Sequence, residues 1–180
     1  MSTQLQSIQK TFHVFYVLAR AAKILCIVGA SICAVSALCI LTEAQGGCVF
    51  GLFGEPISLF EQVADLKQAG IELIAAAIQL TADAVLFDLA QSYLKAEQAD
   101  GTPFTEQGAS RLKALGIRCI WIPIVAIVIA EVIAVSQGMS DAGEIGNYSE
   151  VITGIVLILA SGIFRYGAEL EQKAGESLKV

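Results

Sequence analysis

The stretch "IELIAAAIQLTADAVLFDLAQSY", residues 71–93, decides the fold of this chain. It is long enough to cross a bilayer, which takes about 20 mainly apolar residues. Yet it carries Glu72, Gln79, Asp83 and Asp88. Three other stretches read more simply. Residues 24–41 hold no charge at all, residues 115–135 carry Glu131 and, near one edge, Arg118, and residues 151–166 are uncharged as far as Phe164. If 71–93 crosses as well, the chain has four spans and its loops alternate between two sides.

Lysine and arginine resolve the question. Lys10, Arg20 and Lys23 precede the first span, and Lys95, Arg111, Lys113 and Arg118 lie between the second and third. Arg165, Lys173 and Lys179 lie at or after the end of the fourth. A four-span threading puts ten of the 11 basic residues on one side and leaves Lys67 alone on the other. Basic loops stay cytoplasmic, so both termini are expected inside, with residues 42–70 and 136–150 outside. The predicted fold is an all-α membrane protein. It is a single domain over residues 1–180, with four transmembrane helices in a bundle (about 24–41, 71–93, 115–135 and 151–166) and short interfacial helices.

Composition agrees. The 180 residues are 56% hydrophobic and 16% charged, with a mean hydropathy of +0.70, whereas soluble domains carry about a quarter charged residues. The net charge of −6 does not signal a basic partner, because the charges are sorted by position. A nucleic-acid footprint needs a clustered basic face, and none is present. Four of the five cysteines, Cys26, Cys33, Cys39 and Cys119, lie in apolar runs and read as small buried hydrophobes, with Cys48 in a loop. The basic start and first apolar run are not read as a cleaved leader, since Gln45 stands where a lipoprotein signal carries an aliphatic residue before Cys48.

The loops have local signatures. Pro56 suits a first helical turn, and Phe60, Val63 and Leu66 recur at near-helical spacing. An amphipathic helix on the outer membrane face is predicted, ended by Gly70. The inner loop "DGTPFTEQGASRLKALGIRCI", residues 100–120, is the most distinctive. Asp100-Gly101 makes a turn, Thr102 caps a helix and Pro103 fits its first position. Phe104, Gly108, Leu112 and Leu115 then line one face, with Arg111 and Lys113 off it. That pattern predicts a short helix on the inner leaflet, its basic residues meeting anionic headgroups.

Together "DGTPFTEQGASRLKALGI" and the tail "IFRYGAELEQKAGESL" resemble the DUF2975 family of small bacterial membrane proteins. Gly101, Pro103 and Phe104 match its G-x-P-F-type turn, and Phe164, Tyr166, Gly167 and Leu170 match its F-x-Y-G-x-x-L-type tail. Gly175 departs from the pattern, standing where an acidic residue is usual. The resemblance implies a four-span protein of the bacterial inner membrane, of undefined activity. Genes of this kind often neighbour small helix-turn-helix regulators, which points towards regulation.

No catalytic constellation, metal set or cofactor motif is visible. His13 sits among aromatics suited to an interface, and G-x-S-x-G, H-E-x-x-H and the P-loop are all absent. Gly29, Cys33 and Ala37, spaced by four, read as a helix-packing face, and Pro123 as a kink. The intramembrane polar residues Gln79, Asp83, Asp88 and Glu131 are the remaining candidates, because ionisable groups in spans face protein or a cavity. Asp88 has Arg20, Lys23 and Arg165 as prospective partners, and Glu131 and Asp83 can approach if their helices face each other. Two functions are open. One is a non-enzymatic membrane protein that binds or senses a partner, lipid or small ligand. The other is a small proton or cation transporter, channel or transporter subunit. The partners admitted are membrane lipids, another membrane protein, a cytoplasmic regulator or a second copy, without direct nucleic-acid contact.

Overall fold

A computed structural model describes residues 3–44, 66–100, 105–138 and 149–177. Four helices account for nearly all of them: α1 (Thr3–Ala44), α2 (Leu66–Asp100), α3 (Glu106–Ser136) and α4 (Ser149–Ser177). All four are long and apolar enough to cross a membrane, over Lys10–Thr42, Lys67–Ala99, Glu106–Ser136 and Ser149–Leu170. The polar stretch at 71–93 is therefore an uninterrupted part of a helix. At 1.5 Å per residue, even the 29 residues of α4 extend about 44 Å, beyond a hydrocarbon core of about 30 Å.

The chain divides into two compact units. Unit 1 comprises residues 1–24, 84–123 and 148–180, and so takes parts of α1, α2 and α3 and all of α4. Leu86, Leu115 and Cys119 form its core, packed by Leu89, Tyr93, Ile122 and Leu157. Here α3 and α4 cross antiparallel through paired glycines. A Cβ on Gly154 would stand 2.7 Å from the Gly116 carbonyl oxygen, and one on Gly116 would stand 2.8 Å from the Gly154 carbonyl oxygen. Only glycine lets two backbones approach so closely.

Unit 2 comprises residues 25–83 and 124–147. Glycines again set the packing, between antiparallel α1 and α2. The Cβ position of Gly29 lies 3.2 Å from Leu80, and that of Gly70 lies 2.8 Å from Leu41. Ala126, Ala130 and Ala134 form a buried small-residue stripe on α3. Lys67 Nζ donates to the Gln137 carbonyl at 2.9 Å, just past the end of α3, where a helix presents partial negative charge.

Three local expectations are corrected. Gly70 does not end a helix. It lies in the second turn of α2, and its missing side chain admits Leu41. The inner-loop segment is not a separate interfacial helix, because α3 runs unbroken from Glu106 through Ser136. Its Gly108, Leu112 and Leu115 face is buried in protein, since helix neighbours cover it in place of headgroups. The cap is Thr105, whose Oγ1 accepts from the Gly108 N–H at 2.8 Å, so α3 begins three residues later than a Thr102 cap implies. The helix also runs through Pro123, which is fully buried and leaves the Cys119 carbonyl without its helical amide donor. The outer amphipathic segment from Pro56 to Val63, and Gly101, Thr102, Pro103 and Phe104, lie outside the described residues.

Candidate functional site

The polar residues of the spans separate into distinct environments. Asp88 of α2 has a side chain 57% exposed, and Lys23 of α1 reaches its Oδ1 at 2.6 Å. Of the three prospective partners, lysine 23 is the one in place, and Arg165 instead pairs with Glu169 one turn along α4, at 3.4 Å. The short Lys23–Asp88 distance is that of a charge-assisted hydrogen bond, and it ties α1 to α2 within unit 1.

Asp83 belongs to unit 2 and is half-buried. Gln79, one turn back on α2, directs Nε2 towards Asp83 Oδ1 at 3.5 Å, a contact at the weak limit for a hydrogen bond. Cys26 of α1 lies within electrostatic reach of the same carboxylate. Glu131 stands apart on the exposed face of α3, and no hydrogen bond or ion pair joins it to Asp83. The carboxylates thus do not converge. Among the described residues no group of three or more histidine, cysteine, aspartate or glutamate side chains could hold a metal ion.

Arg111 is half-buried and extends NH2 towards Gln107 Oε1 at 3.4 Å, while Lys113 is exposed. The tail residues all lie on α4: Phe164 and Gly167 are half-buried, and Tyr166 and Leu170 are exposed.

Sequence reasoning missed Glu97. This residue of α2 is only 1% exposed. Its Oε1 and Oε2 lie 2.8 and 3.0 Å from where a Cβ on Gly108 would be, beside Thr105 Oγ1. The carboxylate therefore occupies the space of an absent side chain at the first turn of α3, where the helix presents partial positive charge. Tyr93 lies within electrostatic reach of both Glu97 and Arg111. The available signal was spacing: Leu86, Leu89, Tyr93 and Glu97 recur at three- and four-residue steps, so Glu97 continues the core face.

Unit 2 holds a groove of about 620 Å³, lined by Ala30, Ser31 and Ala34 of α1, Ala77 and Thr81 of α2, Ile129 of α3 and further aliphatic side chains. No acid or base lines it. Its two hydroxyls are engaged within their own helices, Ser31 Oγ with the Ile27 carbonyl at 2.8 Å and Thr81 Oγ1 with the Ala77 carbonyl at 2.7 Å. A ligand in the groove would meet an apolar wall with no hydroxyl left to donate.

Comparison with known proteins returned no matching family model, no matching curated protein and no matching solved structure.

Proposed function

We propose that this chain is a non-enzymatic integral membrane protein that binds an apolar ligand, such as a lipid acyl chain, in the groove of unit 2. The groove carries the reading. Its volume of about 620 Å³ is within the ~300–1,000 Å³ of small-molecule sites, and its walls ask nothing polar of an occupant. Placement of the carboxylates supports the same view. Asp88 is paired with Lys23, Glu131 is on an exposed face, and no carboxylate lines the groove. A conducting path would bring such groups to one cavity. The basic asymmetry supports cytoplasmic termini, and the DUF2975 resemblance agrees with a regulatory setting for such a binder.

The test fills the groove. Ala34 is exposed and Ala77 half-buried, so leucine at both positions adds bulk at the groove wall. A fluorescent polyene fatty acid should bind the wild-type protein saturably in detergent. In Ala34→Leu/Ala77→Leu its affinity should fall about tenfold, a loss of ~1.4 kcal/mol, with thermal unfolding unchanged. Equal affinity in both proteins would contradict the assignment.

A further inference from the structure

We infer that the groove of unit 2 holds one acyl chain of a zwitterionic phospholipid, its headgroup at the Leu41 end and its methyl end at Ala30. The inference rests on the groove being the binding site, and adds which lipid occupies it and in which direction. Length is the first observation. The α1 side of the lining runs from Ala30 to Leu41, which at 1.5 Å per residue covers about 16 Å. One leaflet of a hydrocarbon core about 30 Å thick is about 15 Å deep. The groove therefore matches a single chain and not a molecule that crosses both leaflets.

Position is the second observation. The uncharged run of α1 covers residues 24–41. The groove ends where that run ends, at Leu41, and stops at Ala30, short of its other end. A phospholipid of the leaflet at the Leu41 end lies alongside the groove over its whole length. One from the opposite leaflet would reach only the stretch near Ala30, unless it carried its headgroup into the apolar core. By the basic asymmetry, the Leu41 end is the outer one.

Charge is the third. Lys67 precedes Ile74 by two turns of α2, on the same face and about 10 Å further along. It is exposed, and its bond to the neutral Gln137 carbonyl holds the ammonium at this end. No other lysine or arginine belongs to unit 2, and Lys23, the next base along α1 beyond Ala30, faces Asp88. A lipid phosphate thus has its cation at the Leu41 end. The net charge of that side is still negative, because residues 42–70 and 136–150 carry seven acidic residues and Lys67 alone. Such a field repels an anionic headgroup and tolerates one that adds an ammonium to its phosphate.

Two phosphatidylethanolamines with a diazirine in one acyl chain test this, one placed beside the ester and one at the chain end. Each is bound to the full-length protein in detergent and irradiated, and labelled residues are mapped by mass spectrometry. The first probe should label Leu38, Leu41 and Ile74, and the second Ala30, Ser31 and Thr81. Phosphatidylglycerol with the same chains should give about threefold less adduct, the effect of one exposed charge contact. Lys67→Gln should lower the phosphatidylethanolamine adduct by a similar factor, and Lys67→Arg should retain it. Ala34→Leu/Ala77→Leu should lose the labelling by both probes. Reversed or identical labelling by the two probes, equal adduct with phosphatidylglycerol, or full adduct in Lys67→Gln would overturn this inference alone. Equal labelling of wild type and the filled-groove variant, the result if the chain's own residues 45–65 occupy the groove, would overturn it together with the binding reading.

Discussion

The two units use the same four-letter idea of helix, glycine, aliphatic and small residue, yet differ sharply in charge. Ten of the 11 basic residues belong to unit 1 and only Lys67 to unit 2. Unit 1 accordingly holds the Lys23–Asp88 pair and the buried Glu97 against the first turn of α3. Unit 2 is built from small and aliphatic side chains and contains the apolar groove. Polar contacts join helices in both units, through Lys23–Asp88 in unit 1 and Lys67–Gln137 in unit 2, but unit 2 also opens an apolar groove. Perturbations of unit 1 should therefore register as lost stability, and perturbations of the groove as lost binding.

The largest expected effect is at the glycine crossing. In Gly154→Leu the new Cβ meets the Gly116 carbonyl oxygen and Ile120, both at 2.7 Å. Backbone cannot rotate aside as a side chain can, so α3 and α4 must separate. Overpacking of this kind costs about 1–3 kcal/mol or more, and thermal unfolding in detergent should show most of the folded protein lost. A wild-type melting temperature would break the account of unit 1.

Gly108→Ala comes next. Its Cβ displaces the Glu97 carboxylate, 2.8 Å away, at an expected cost of about 1–2 kcal/mol. The same substitution in a Glu97→Ala background should cost less, because the carboxylate is gone and only the approach to Thr105 Oγ1, at 2.9 Å, remains. Equal costs in both backgrounds, read from a double-mutant cycle, would separate Gly108 from Glu97.

Smallest is the ion pair. Lys23→Met strands Asp88, and with Asp88 more than half exposed the loss should be no more than about 1 kcal/mol. Adding Asp88→Asn should recover part of it. A loss several-fold larger would mean that this pair, and not the glycine crossing, organises unit 1.

The four helices were readable from the sequence because apolar length and basic asymmetry are strong, additive signals. Their ends were not. Gly70 was read as a terminator, although glycine serves equally where Leu41 must approach closely. Thr102 was read as the cap, whereas the hydroxyl that accepts from the first turn of α3 is that of Thr105. The same limit applies to the carboxylates. A helical wheel places Glu131 and Asp83 on faces but does not say which face meets a neighbour, and Glu131 is exposed. Lys23 was one of three candidates for Asp88, separable only by geometry. Nothing in "LKAEQAD" singled out Glu97, whose register with Leu86 and Tyr93 puts it on the buried face of α2. The groove had no sequence signature, since it arises where alanines from α1 and α2 come together.

Proton and cation flux in liposomes is the most direct test of whether this protein binds or conducts. Wild-type protein and Asp83→Asn should both leave the vesicles as tight as protein-free controls, with equal thermal unfolding. Flux in the wild type that disappears in Asp83→Asn, with melting unchanged, would contradict the binding account and make Asp83 part of an ion path.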